Sequence, residues 1–141
     1  MAELEPCLYR ANAAKGDTFA QVNLAFLYDH GRGGLPRDER EAARLYKLAA
    51  DQGNTYAQTN LGTLYEKGRG GLPRDEREAA RLYKLAADQG NAVAQYNLGT
   101  YYRDGRGGLP KDEREAARLF KLSADQGNAN AQSALSRLKS R

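Results

Sequence analysis

The stretch GRGGLPRDEREAARLYKLAADQGN, residues 31–54, recurs unchanged at 68–91 and returns at 105–128 as GRGGLPKDEREAARLFKLSADQGN. The period is 37 residues. Self-similarity at a fixed spacing in this range marks stacked units, none of which can bury its apolar face alone. Whether the glycine-rich part of the repeat holds a ligand or turns the chain decides between an enzyme and a scaffold.

Each unit reads as two helices. The second begins at Asp38, whose carboxylate can accept from the first free amides, and Glu41 three residues on suits a capping box. Ala42, Leu45, Tyr46 and Ala49 follow at i, i+3, i+4 and i+7 and form one apolar stripe. Gly53 can take the left-handed conformation that closes this helix, and Asn54 can cap the next. That next helix carries Ala57, Leu61, Leu64 and Tyr65 and ends at Gly68.

The ends are partial units. Leu8, Tyr9, Ala13 and Gly16 align with Leu45, Tyr46, Ala50 and Gly53, whereas Asn128 onward is a first helix without a partner. The expected fold is all-α: a right-handed α-solenoid of stacked αα-hairpins with about eight helices. A partial leading helix lies in 1–16, repeats span 17–53, 54–90 and 91–127, and a partial terminal helix occupies 128–141.

The glycine loop reads as a joint. A Walker-type loop needs a lysine and a hydroxyl residue after its last glycine, between a strand and a helix. Neither the spacing nor the context is present. The dinucleotide fingerprint fails as well, because Pro36 stands at its third glycine position and no βαβ unit surrounds it. Gly31, Gly33 and Gly34 instead supply positive φ angles. Leu35 tucks under the hairpin, Pro36 leads into Asp38, and Arg32 is left to solvent.

Composition narrows the function classes. Charged residues make up 28% of the chain, mean hydropathy is −0.80 and the net charge is +4. The cations alternate with carboxylates, whereas nucleic-acid binders gather positive charge on one face. No stretch approaches the ~18 apolar residues of a membrane span, and the first residues lack the basic start and apolar run of a secretory signal. A cytoplasmic setting is expected. One cysteine, Cys7, excludes an internal disulfide framework, and one histidine, His30, leaves no Cys/His zinc set. Capping explains carboxylates such as Asp38 and Glu41, and no serine, histidine and acid form a recognisable array. No catalysis, cofactor or metal is expected.

The stretch AQTNLGTLYEKGRGGLPRDEREAARLYKLAADQGN, residues 57–91, resembles the Sel1-like repeat, a relative of the tetratricopeptide repeat. Ala57, Leu61, Gly62, Tyr65 and Gly68, then Asp75 and Ala79, then Ala86, Ala87, Gly90 and Asn91 carry the family pattern. The resemblance covers nearly the whole chain. It departs in the second helix, which has Leu-Tyr or Leu-Phe and no tryptophan, and in lacking the paired cysteines of disulfide-stapled secreted relatives. The resemblance implies a curved array whose first helices line the inner surface.

Comparing copies within this chain shows where that surface differs. The first helices vary at Phe19/Tyr56/Val93/Asn130, Val22/Thr59/Tyr96/Ser133 and Phe26/Thr63/Thr100/Arg137. They vary again at Asp29/Glu66/Arg103 and His30/Lys67/Asp104. These offsets fall on one helix face, and the constant Ala57, Leu61 and Tyr65, with Leu64, fall on another. The functional expectation is a concave protein- or peptide-binding groove formed by Phe19, Val22, Phe26, Tyr56, Thr59, Thr63, Lys67, Val93, Tyr96, Thr100 and Arg103. Drift on a solvated face is the plainer alternative.

Asn23, Asn60 and Asn97 recur beside this face. Their amides can hold a peptide backbone, as an asparagine at the matching position does in some tetratricopeptide proteins, or can bond a neighbouring helix instead. A second expectation is architectural: Leu135 and Leu138 on the last helix await the leading helix of another copy, giving head-to-tail self-association. Its plain counterpart is that Arg137, Lys139 and Arg141 make this helix a polar cap. Repeats this uniform also suit a consensus or idealised array without a natural ligand.

Overall fold

In a computed structural model of the chain, residues 6–140 are described. Among them are eight α-helices and no strand: α1 Pro6–Ala14, α2 Thr18–His30, α3 Glu39–Asp51, α4 Thr55–Lys67, α5 Glu76–Asp88, α6 Ala92–Asp104, α7 Glu113–Asp125 and α8 Ala129–Lys139. The first five residues of the leading segment and Arg141 lie outside the described residues. Helices α2 and α3, α4 and α5, and α6 and α7 pack most extensively and form three hairpins, joined in series by α3 on α4 and α5 on α6. The ends are closed by α1 on α2 and α8 on α7.

Local chemistry sets the helix boundaries. Asp38, Asp75 and Asp112 accept from the amides of Glu41, Glu78 and Glu115 at 3.0–3.1 Å. The reciprocal half of the expected capping box is not made. Asp38 instead donates its backbone N–H to the Tyr28 carbonyl oxygen at 2.8 Å, and Glu41 turns to Arg44, which donates to both its oxygens at 2.9 and 2.6 Å. The N–H that a capping box would satisfy already has a partner in the preceding helix. At the other end Gly53, with φ +92°, closes a Schellman motif in which Gly53 and Asn54 donate to Ala50 and Ala49. Asn54 then caps α4 by accepting from Ala57.

The core is a chain of clusters running through the stack, as expected when each unit touches only its neighbours. Alanines dominate it: Ala25, Ala42, Ala49, Ala57, Ala79, Ala86, Ala94 and Ala116 are fully buried. Small side chains let the helices approach closely, and Tyr46, Tyr83 and Phe120 fill the remaining width.

The glycine loop is a joint, and also a bolt between repeats. Gly31, Gly33 and Gly34 have φ of +62°, +67° and +79°, and the later copies match them. Leu35, Leu72 and Leu109 pack partly buried against the core. Arg32 is exposed, its guanidinium 5.4 Å from the centre of the Phe26 ring. Its counterparts behave differently. Arg69 pairs with Glu39, and Arg106 reaches Glu76 at 2.5 Å while lying 4.5 Å from the Tyr101 ring centre. The second and third loops thus tie their own hairpins to the one before.

Candidate functional site

Helices α2, α4 and α6 each carry an exposed apolar side chain at their second position, just after the aspartate or asparagine cap. Phe19 on α2 and Tyr56 on α4 remain 72% and 68% exposed, and Val93 on α6 is exposed beside them. Phe19, Val22, Asn23, Phe26, Tyr56 and Asn60 come together around one cleft of ≈ 360 Å³ between α2 and α4. Its remaining walls are Tyr46 on α3 and the cap residue Asn54, both of which lie outside the first-helix positions that differ between copies.

The cleft is mostly apolar, with amides along one side. Asn60 hydrogen bonds with Tyr46, whose phenol is pushed up by burial and by the Asp29 charge, the Asn60 bond pulling the other way. Phe26 stacks at 4.2 Å on His30, whose ring nitrogen contacts the Phe26 carbonyl oxygen. Phe19 and Tyr56 carry no comparable ring contact, so their faces are available.

The expected groove does not continue evenly along the array. Tyr56 and Val93 line a separate, more polar hollow of ≈ 310 Å³ with Gln89, Asn91 and Gln126. Tyr96 is half-buried, its ring centre 5.8 Å from that of Phe120. Thr59 is corrected outright: it is 4% exposed, and its hydroxyl donates to the Thr55 carbonyl oxygen at 2.8 Å. Thr63 bonds the Tyr83 hydroxyl at 3.2 Å, and Thr100 donates to the Asn97 carbonyl oxygen at 2.7 Å. Lys67 is exposed at the end of α4.

Part of the variation between copies is packing chemistry. Tyr83 donates to Glu66 at 2.8 Å, Tyr101 donates to the same oxygen at 3.2 Å, and Asp29 acts electrostatically on Tyr46. In the third repeat the ring is Phe120, which has no hydroxyl. Arg103 stands there instead of an acid, 5.9 Å from the ring centre and paired with Asp104 at 2.9 Å. That Arg103 bond holds the Asp104 carboxyl below its usual range, against the effect of desolvation. Arg103 is thus a packing residue, and the charge at this position follows the partner ring.

The last helix covers its leucines only in part. Leu135 and Leu138 lie half-buried against the cluster of Ala116, Phe120 and Ala134, and their remaining surface lines an open hollow of ≈ 240 Å³ with Ala117 and Lys139. Ser136 occupies the position where Gly62 and Gly99 admit a ring, and Lys139 the position of Tyr65 and Tyr102. These changes remove two contacts by which an inner first helix receives its neighbours. Among the described residues no group of three or more His, Cys, Asp or Glu could hold a metal ion, and no helix is long and apolar enough to cross a membrane.

The Sel1 repeat family profile matches residues 18–54, 55–91 and 92–128. No curated protein matches the chain. A Sel1 repeat protein from Oxalobacter formigenes is 39% identical with a TM-score of 0.81, over 92% of this chain and 95% of that one. The protective antigen c5321 of uropathogenic Escherichia coli, described as displaying an SLR fold, is 35% identical with a TM-score of 0.84. That match covers 92% of this chain, which spans only 27% of the antigen. Helicobacter pylori cysteine rich protein B shares the fold, at 20% identity and a TM-score of 0.69 over 92% of this chain and 90% of that one. With three tandem matches and a shared hairpin geometry, the chain belongs to the Sel1 repeat family, whose members are helical scaffolds typically engaged in protein interaction.

Proposed function

We propose that this scaffold binds a peptide segment of a partner protein through its first-helix face, without catalysis. The observation that carries this reading is the cleft between α2 and α4, where Phe19 and Tyr56 expose most of their surface beside Asn23 and Asn60. Exposed aromatic rings gain most from desolvation by a ligand, and such anchors commonly contribute about 2 kcal/mol or more to binding. The amides offer donors and an acceptor to a peptide backbone. An extended segment with one apolar residue seated between Phe19 and Tyr56 fits this arrangement.

Peptide-display selection on the purified protein tests the reading, repeated on Phe19→Ala/Tyr56→Ala. Both side chains lie outside the core, so the double variant keeps its fold. Enriched peptides that disappear with the variant place recognition at this cleft. Enrichment that survives the substitutions, or none at all, overturns it.

A further inference from the structure

A second and larger cleft, ≈ 590 Å³, lies between α1 and α3. Buried Ala13, Leu24 and Leu45 form its apolar floor, and Arg10, Tyr28 and Arg44 its polar wall. Arg10 donates to the Tyr28 hydroxyl at 3.3 Å, and Arg44 is forked onto Glu41.

The same chain supplies templates for this groove. Between α3 and α5 the position of Arg10 is Lys47 and that of Ala14 is Asp51; between α5 and α7 they are Lys84 and Asp88. Lys47 pairs with Asp51 at 3.8 Å and Lys84 with Asp88 at 3.5 Å. Each aspartate also acts across the groove, Asp51 on Arg81 and Asp88 on Arg118. In the first groove both cations are kept while the aspartate is replaced by alanine. Among the described residues Glu41 is the one acid lining it, so the groove carries an excess of positive charge.

We propose that the α1–α3 cleft is a second binding site, which takes an acidic peptide segment whose carboxylate fills the place that Asp51 and Asp88 occupy in the later grooves. The carboxylate lies between Arg10 and Arg44, where charge-assisted hydrogen bonds are strong. A neighbouring aliphatic side chain rests on Leu24 and on the exposed part of Leu48. This site is independent of the Phe19–Tyr56 cleft.

The test is fluorescence anisotropy with a labelled, C-terminally amidated Leu-Glu-Leu-Asp peptide and its C-terminally amidated Leu-Gln-Leu-Asn counterpart. The acidic peptide is expected to bind about tenfold more tightly than the amide, a difference of ~1.4 kcal/mol. Ala14→Asp restores the residue of the later repeats, so it preserves folding while supplying the carboxylate from within; binding should fall about tenfold. Arg10→Gln should weaken binding similarly, and Phe19→Ala/Tyr56→Ala should leave it unchanged. No binding of the acidic peptide, equal binding of the two peptides, unaltered binding by Ala14→Asp, or loss with Phe19→Ala/Tyr56→Ala would each overturn the proposal.

Discussion

The ring of Tyr83 lies so close to the backbone of Gly62 that a β-carbon at residue 62 would stand 2.7 Å from the ring carbon Cε1. The ring has nowhere to retreat, because its hydroxyl donates to Glu66 at 2.8 Å and contacts Thr63 at 3.2 Å. Gly62→Ala would gain about 1 kcal/mol of helix propensity, but overpacking a filled site costs about 1–3 kcal/mol. A net loss of about 1 kcal/mol is expected, read as a lower urea midpoint. At Gly99 the facing ring is Phe120, which has no hydroxyl tether and can shift, so Gly99→Ala should cost less. A higher midpoint for Gly62→Ala would show that Tyr83 moves freely.

The charge swap at the third repeat gives a second expectation. Tyr83 is matched by Glu66, and Phe120 by Arg103. Phe120→Tyr alone introduces a buried hydroxyl opposite a cation that cannot accept from it, and should destabilise by about 1–3 kcal/mol. Adding Arg103→Glu restores the pairing of the second repeat. A double-mutant cycle should then return a favourable coupling of about 1 kcal/mol or more. Additive effects would mean that the acid at Glu66 is unrelated to its ring.

How much of this was legible beforehand divides by distance along the chain. Helix positions, the caps at Asp38 and Asn54 and the joint at Gly31–Gly34 rest on contacts within a few residues, and the apolar stripe and turn chemistry expose them. The cleft is half legible: Phe19, Val22, Phe26 and Tyr56 stand at positions that vary between copies, Asn23 and Asn60 recur beside them, and all six line one cleft. Thr59 was misplaced because a helix wheel gives direction and not depth. A first helix here packs against second helices on both sides, so the position three residues from an exposed Tyr56 is already covered. Arg69 and Glu39 are 30 residues apart in different repeats. Their pairing needs the stacking register, which the spacing of one unit does not contain.

Those inter-repeat ion pairs make stability depend on acid. The Arg69 hydrogen bond holds the Glu39 carboxyl below its ordinary value of 4.5, and the Arg106 bond does the same for Glu76, with desolvation opposing each. A carboxyl whose folded pKa lies below its unfolded value adds stability that is fully present above the unfolded value. That contribution is lost as the pH falls through the folded value. Urea midpoints should therefore be flat above the ordinary glutamate range and decline below pH 4.5. Arg69→Gln/Arg106→Gln should flatten this decline in part, since Glu115 and Asp104 are also held low by Arg118 and Arg103. An unchanged acid slope in the double variant would remove these pairs from the account.

The seat of the glycine loop makes the most graded prediction. Gly70 has φ +69°, and a β-carbon there would lie 2.9 Å from the Glu39 carbonyl oxygen and 3.0 Å from the Ala43 side chain. At Gly107 the Glu76 carbonyl oxygen would be 2.7 Å away. Backbone atoms of a capped helix cannot yield as a flexible side chain does. Gly53 has φ +92° with nothing near its would-be β-carbon, so Gly53→Ala meets conformational strain alone, about 1 kcal/mol. Gly70→Ala and Gly107→Ala add a clash to that strain and should lose about 2–4 kcal/mol. The nearest contact at Gly33 is the Pro6 side chain at 3.3 Å, so Gly33→Ala should fall between. Four single variants measured by urea denaturation would check the order. Equal losses at Gly53 and Gly70 would mean that the loops turn the chain without locking one repeat onto the next.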